Sequence, residues 1–499
     1  MTADHTPVVN CCYAMPIRGG LWGACQVIGI DGENADIVAF DWLGKQPPTL
    51  KQLAKAKPLV LTHHAHKGSI QRMYADGPVP ADFRAVGELP PVVSGEMKPQ
   101  SYGFWGNFAH QLRLQQRWDH EVPKAEKERY RAGDQQIALG ETTAMGRYNM
   151  SIGATKHATL PWPAAEPVPW EVLDAAGTLT ALTYHGRDAN VVKYVASRKL
   201  ISEFSWYDHG QSSLDFRGAS LLELRLDVPK KLSIRIDEEL TDLTLTGHGK
   251  GRSVSVEHAA KSGAAGGEDL SLTLFQPVDQ LFPPAVRGLE RLSELEVSWL
   301  KVIDLKAIAK AYPKLRSLLI RGKYARLEHP EALSKLSELE SLTLYDVYDL
   351  DVAALPPIEK LPKLNHVLYG GLKKSDAQLL RKHFAKLRYL DIHGAKNDAW
   401  IAANANNPLR NWVDDDEQFG EKACKVFATA YRAASKAKGA AAKKVLTDYI
   451  KALNKLDGKY EIIDTIRREE AYEAYHQLVA LTDVSEKDAD DWWGELCDF

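Results

Sequence analysis

From residue 179 to residue 392 one hydrophobic spacing recurs, Leu-x-x-Leu-x-Leu, and it constrains this chain more than any other feature. It reads Leu179-x-x-Leu182-x-Tyr184, Ile201-x-x-Phe204-x-Trp206, Leu221-x-x-Leu224-x-Leu226 and Leu240-x-x-Leu243-x-Leu245. It continues at Leu272-x-Leu274, Leu292-x-x-Leu295-x-Val297, Leu315-x-x-Leu318-x-Ile320 and Leu339-x-x-Leu342-x-Leu344. The last copies are Leu364-x-x-Val367 and Leu387-x-x-Leu390-x-Ile392. From Leu272 onward the second anchor falls at 295, 318, 342, 367 and 390, in steps of 23 to 25 residues. A unit this short cannot bury its apolar side alone and must stack on its neighbours. The spacing predicts an α/β solenoid with short parallel strands on a concave face and a mixed helical and irregular convex face. Helical spacing appears in two returns, at Leu305, Ile308, Ala309 and Tyr312, and at Leu379, Leu380, His383 and Phe384.

The rest of the chain falls into two further blocks. Residues 1–160 carry apolar, β-branched segments at 22–30 and 35–42, separated by glycine turns, and read as a β-rich N-terminal domain. Thr49 is placed to cap a short helix, and the charged segment 113–131 reads as helical or mobile. Pro161, Pro163, Pro167 and Pro169 then form a semi-rigid linker before a repeat domain at 170–396. A glycine-rich insertion at 256–269 predicts a loop on one edge. Residues 405–499 read as an α-helical domain capping the array. Its stripes are Phe427, Ala428 and Tyr431, then Val445, Leu446, Tyr449, Ile450 and Leu453, with Gly458 as C-cap. Ser485 and Asp488 open a last helix carrying Trp492 and Trp493.

A net charge of −3 gives no general attraction to nucleic acid or anionic membrane, and no apolar stretch reaches the ~20 residues of a bilayer span. Residues 1–10 hold Asp4, His5 and Pro7 instead of a basic, then apolar, secretory signal. Five cysteines without a Cys-x-x-Cys pair read as free thiols of a cytoplasmic protein.

Candidate chemistry is sparse. His63-His64-x-His66 is the densest ligand cluster, but no third converging ligand is evident, and the reading is a polar strand edge or loop. Cys25 and His64 are a conceivable nucleophile and base, yet Cys25 lies among Trp22, Val27 and Ile28, as a buried structural thiol does. No phosphate loop or nucleophile elbow is present, and Asp414–Glu417 suits a helix N-terminus. No metal or cofactor is expected. The repeats offer another kind of site. Strand residues between the anchors point outward, among them Tyr207, Arg225, Phe275, Glu296, Trp299, Arg321, Tyr345, Asp346, Tyr369, Tyr389, Asp391 and His393. Aromatics mixed with charges match protein-interface hot spots. Trp299, Tyr345 and Tyr389 are read at comparable positions on different repeats, within reach of one extended ligand.

Over about 215 residues the array resembles leucine-rich repeat proteins. One position departs from that pattern: where an Asn or Cys often ties the turns together, this chain has Leu300, Lys323, Val347 and Ala395, so apolar packing must replace the ladder in places. More narrowly, the chain resembles bacterial cytoplasmic leucine-rich repeat proteins often labelled gliding motility proteins. The likeness rests on Asn407-Pro408-Leu409-Arg410-Asn411-Trp412, on residues 463–471, and on 489–493 with the Asp498-Phe499 ending. Tyr13-Ala14-Met15-Pro16-Ile17 and Trp22-Gly23-Ala24-Cys25-Gln26-Val27-Ile28 are similar to β-rich immunity proteins of toxin systems. Together these imply a non-enzymatic adaptor or immunity-type protein that grips a protein partner, such as a bacterial toxin or effector. The alternative is an enzyme with its site in residues 1–160 and repeats that recruit substrate.

Overall fold

The computed structural model describes residues 6–17, 20–32, 34–80, 82–93, 99, 101–133, 150–151, 154–155, 157–161, 168, 170–258, 267–268, 270–277, 279–413 and 415–499. Among them the chain is mixed α/β, with an N-terminal antiparallel sheet, a large parallel sheet and C-terminal helices. It divides into two compact units. One comprises Met1–Arg321, Glu328–Leu342 and Glu359–Leu364, and the other Gly322–Leu327, Thr343–Ile358 and Asn365–Phe499. Pro163, Pro167 and Pro169 of the expected linker, and most of the expected 256–269 loop, lie outside the described residues.

In the first unit, the N-terminal sheet runs in the order Arg84–Glu88, Cys11–Ile17, Leu21–Asp31, Asn34–Ala39, Arg72–Ala75 and Tyr102–Gly103. All its pairs are antiparallel except the last. Gly32 turns one hairpin at φ 64, a region open to glycine because it has no Cβ. The helix Gly106–His120 packs Phe108 and Leu112 into a core with Met15, Cys25, Val27 and Ile37. Gly23 permits this approach, since a Cβ there would stand 2.6 Å from Leu112. The charged segment 113–131 is helical, shared by Gly106–His120 and Lys124–Ala132. Its apolar stripe was masked because polar side chains do core work: Gln115, Arg117 and Glu126 are buried. Glu126 accepts the backbone N–H groups of Lys199 and Leu200 at 3.0 and 2.9 Å. Thr49 precedes the helix Leu50–Leu53, its N–H bonded to Gln52 Oε1 at 2.8 Å.

The same unit holds a ladder of parallel strands: His157–Pro161, Ala181–His185, Glu203–Tyr207, Glu223–Asp227, Asp242–Thr246, Ser271–Phe275 and Glu294–Asp304. The second anchors Leu182, Phe204, Leu224, Leu243, Leu272 and Leu295 pair in one row, all 2% exposed or less. The third anchors Tyr184, Trp206, Leu226, Leu245, Leu274 and Val297 form the next buried row. The period-2 alternation of a strand puts both rows inside and the intervening residues outside. Leu318 and Leu342 are also buried.

The returns differ from expectation in the middle of the array. Ser213–Asp215, Lys231–Ile236 and Ser253–His258 form a second parallel sheet. Leu232-x-Ile234-x-Ile236 and Val254-x-Val256 alternate and are buried. Extended chain covers about 3.3 Å per residue against 1.5 Å in a helix, so these returns need fewer residues. That accounts for anchor steps of 20 and 19 residues at Leu224 and Leu243. Helical returns appear at Asn190–Ser197 and at Leu305–Ala311, the latter capped by Asp304.

A further regularity lies just beyond the anchors. The fourth residue after the second anchor has positive φ at Asp208, Gly247, Gln276, Trp299, Asp346, Gly371 and Gly394. This left-handed step ends the straight part of the strand. Next to it Leu300 and Val347 are fully buried.

In the second unit, His366–Lys373 pairs in parallel with Tyr389–Lys396 through the crossover helix Lys374–His383. Leu390 is half-buried here, less enclosed than the repeat spacing implied. Five helices follow: Asp398–Asn404, Glu417–Ala434, Ala440–Tyr460, Thr465–Val479 and Glu486–Leu496. Phe419, Phe427, Leu446, Tyr449, Tyr475 and Trp493 dominate their core. Trp412 stacks on Phe419 at 5.4 Å and donates its indole N–H to Glu470 at 2.6 Å. Asp416 caps the second helix through Phe419 N–H, and Ser485 caps the last through Asp488 N–H. Gly458 is not a C-cap: the helix runs past it and ends at Glu461 in the left-handed region. Tyr431 is 44% exposed instead of joining its stripe to the core.

Candidate functional site

Outward-facing side chains of the first unit fall into rows because the ladder is in register. The row before the second anchors reads Glu203, Glu223, Asp242, Ser271 and Glu294. The row after them reads Ser205, Arg225, Thr244, Thr273 and Glu296. Neighbouring strands lie about 4.8 Å apart, so like charges in a row face one another. The Glu203 carboxyl is accordingly held above its ordinary range, first by partial burial and then by Glu223, with Arg225 opposing. Arg225 is exposed and 3.4 Å from Glu223. Glu296 is half-buried and accepts from Arg321 Nε at 3.1 Å. Tyr207 stacks on His185 at 5.0 Å, and Phe275 is half-buried at the end of its row. Trp299 is 43% exposed at φ 69. This is the left-handed step that also ends the strands at Asp208 and Gln276.

The second unit separates the remaining expected contacts into open and closed ones. Tyr389 is 47% exposed and stacks on His366 at 4.3 Å. His393 is exposed, its Nδ1 3.2 Å from Asp391 Oδ1, and Tyr345 lies 6.3 Å from its ring. Tyr369 is not a surface residue. It pairs with Ile392, is 2% exposed, and donates its hydroxyl to the Val347 carbonyl at 2.5 Å. It occupies the third-anchor position of its repeat, which a Tyr disguises in sequence. Asp346 is turned to internal use: Arg410 Nη2 donates to it at 2.6 Å and Tyr348 Oη at 3.2 Å. Arg410 also lies 4.3 Å over the Tyr324 ring, which stacks on Tyr348 at 4.7 Å. The expected equivalence of Trp299, Tyr345 and Tyr389 fails. They stand four and three residues after, and one residue before, their second anchors.

Cys25 and His64 occupy different surroundings. Cys25 is fully buried in the apolar core under Gly106–His120, and burial pushes its thiol far up, away from the reactive thiolate. Cys12 is raised to about 12, by burial and then by Cys11. His64, in the left-handed region at φ 50, lies against Trp118 and Tyr130 at 5.7 and 5.4 Å. The histidine segment is more ordered than a polar edge. Gln115 Oε1 accepts the N–H groups of Thr62 and His63, while its Nε2 donates to Thr62 Oγ1 and Asp119. His63 is 2% exposed, with Nε2 2.9 Å from Gln111 Oε1 and Nδ1 2.9 Å from His64 Nδ1. Burial, then His66, lowers His63 to about 4, so it is neutral near pH 7. No local pattern links this loop to Gln111 and Gln115, which lie one helical turn apart and some fifty residues on. Among the described residues no group of three His, Cys, Asp or Glu is placed to hold a metal ion.

No protein-family model matches the chain, and no curated protein matches it.

Proposed function

We propose that this chain is a binding protein of the leucine-rich repeat type, which holds a protein partner against the outward side of its parallel strands. The observation that carries the proposal is the in-register rows of outward-facing side chains, of which Glu203, Arg225, Asp242 and Glu294 are exposed and the rest half-buried. Carboxylates at Glu203, Glu223, Asp242, Glu294 and Glu296 outnumber the cations among them, so the partner surface is basic. Trp299, exposed just beyond its strand anchors, supplies an aromatic anchor. Complementary charge of this kind speeds encounter and selects partners more than it adds affinity. The likeness of the N-terminal strands to immunity proteins makes a bacterial toxin or effector the first class to test, in a cytoplasmic setting. An enzyme using Cys25 as nucleophile is the weaker reading, because that thiol is enclosed and far from its ionised form.

The test is affinity capture from the source bacterium, mass spectrometry, then binding assays on the purified pair. Glu223→Lys with Glu294→Lys should slow association and remove most of its salt dependence, and Trp299→Ala should weaken binding by ~10-fold or more. A partner that binds all these variants like the parent chain would exclude this face as the site.

A further inference from the structure

In the second unit the helices Glu417–Ala434 and Ala440–Tyr460 pack against each other, and a groove of about 490 Å³ runs between them. Its floor is apolar. Val426, Val445 and Ala452 are half-buried, Ala433 is exposed and Tyr449 is buried beneath them. Three of the lining residues, Ala430, Ala433 and Ala452, end at Cβ and leave room that larger side chains would fill.

The rim is basic. Lys422 and Lys425 line it from one helix. On the other, Lys444 and Lys455 stand four residues before Asp448 and three after Ala452, on the same helix side as those lining residues. Lys425 and Lys455 are exposed. Lys422 donates to the Tyr460 hydroxyl, and Asp448, which also lines the groove, already pairs with Lys444 at 2.8 Å. Residues 417–460 hold ten Lys or Arg against four Asp or Glu, in a chain whose net charge is −3. Positive potential is therefore concentrated on this helix pair.

An apolar floor between cations restricts what fits. An anionic membrane takes up protruding Trp, Phe or Leu side chains, whereas this floor is recessed and built of Ala and Val. Nucleic acid phosphates meet lysines but gain nothing from an apolar floor. A second copy of the chain offers acidic helices, Thr465–Val479 and Glu486–Leu496, but their apolar residues Ala471, Tyr475, Ala489 and Trp493 are buried in their own core. A foreign amphipathic helix with acidic margins meets both demands. Its apolar side chains at i, i+3 or i+4, and i+7 enter the groove, and its carboxylates face the lysines. The lining from Lys422 to Ala433 spans about 16 Å of helix, room for about three turns of such a partner.

We propose that this groove holds an acidic amphipathic helix of a protein partner. The inference rests on the groove and its rim alone and is independent of the strand rows, for which a basic partner surface is proposed.

Selection of a phage-displayed library of randomised helical peptides, each of about four turns, on the immobilised full chain tests it, followed by fluorescence anisotropy with the enriched peptide. The expected sequences carry Leu, Ile or Phe at i, i+3 or i+4, and i+7, with Asp or Glu beside them. Lys425→Glu with Lys455→Glu should weaken their binding at least ~10-fold, with circular dichroism and the thermal midpoint unchanged. Ala433→Glu, which sets a carboxylate in the groove, should weaken it by as much. The inference is overturned if no peptide is enriched, if the enriched sequences are neutral or basic, or if the variants bind them like the parent. It is overturned in favour of another occupant if Ala433→Glu abolishes sedimentation with vesicles of phosphatidylcholine and phosphatidylserine, or abolishes a reversible self-association of the chain.

Discussion

Truncating Leu243 to Ala tests the register on which every surface assignment depends. Leu243 is fully buried and sits between Leu224 and Leu272, both also fully buried, on strands hydrogen-bonded to its own. Leu→Ala in a core costs about 2.7–5 kcal/mol, and the upper part of that range belongs to sites that cannot collapse. Here the flanking side chains are held by paired backbones on both sides, so about 4 kcal/mol is expected. The neighbour Thr244 faces outward and pairs with Arg225 and Thr273. Thr244→Ala should stay within about 0.5 kcal/mol of the parent. Urea unfolding followed by far-UV circular dichroism measures both, with the midpoint shift compared at constant slope. A one-residue slip would exchange the two faces. If Thr244→Ala destabilises and Leu243→Ala does not, the rows described above are inverted and the reasoning fails.

Two further outcomes follow from groups that carry the structure. Arg410→Ala removes the cation from Asp346, whose side chain is 18% exposed, and should cost about 2–3 kcal/mol by thermal unfolding; the double variant with Asp346→Asn should recover part of it, and strict additivity would deny the coupling. His63 has a folded-state pKa of about 4 against 6.5 when unfolded, so the unfolded chain binds its proton first as pH falls. Its contribution is whole above pH 6.5 and is lost between pH 6.5 and 4; His63→Asn should flatten the stability curve in that window, and an unchanged slope would contradict the buried neutral state.

The parallel strands are legible because their signal is local and periodic. A large apolar side chain at each anchor, most often Leu, fixes the strand faces without knowledge of distant residues, and the rows from Leu182 to Leu295 follow it. Tyr369 hides an anchor, because a Tyr also suits a surface, and here its hydroxyl finds a carbonyl inside. The second sheet is marked in sequence only by the short period-2 alternation of Leu232, Ile234 and Ile236, whereas other returns carry helical spacing. The histidine loop and the Asp346–Arg410 pair escaped for a different reason. Each joins segments some fifty or more residues apart, and no local pattern brings them together.

The proposed protein partner would cover the outward rows of the strands. Carboxylate footprinting with a carbodiimide and glycine ethyl ester, on the chain alone and with its captured partner, tests it most directly. The account predicts that labelling of Glu223, Asp242 and Glu294 falls several-fold in the complex, while Glu473 and Asp491 on the C-terminal helices react as before. Unchanged labelling of the strand carboxylates, with protection on those helices instead, would contradict it.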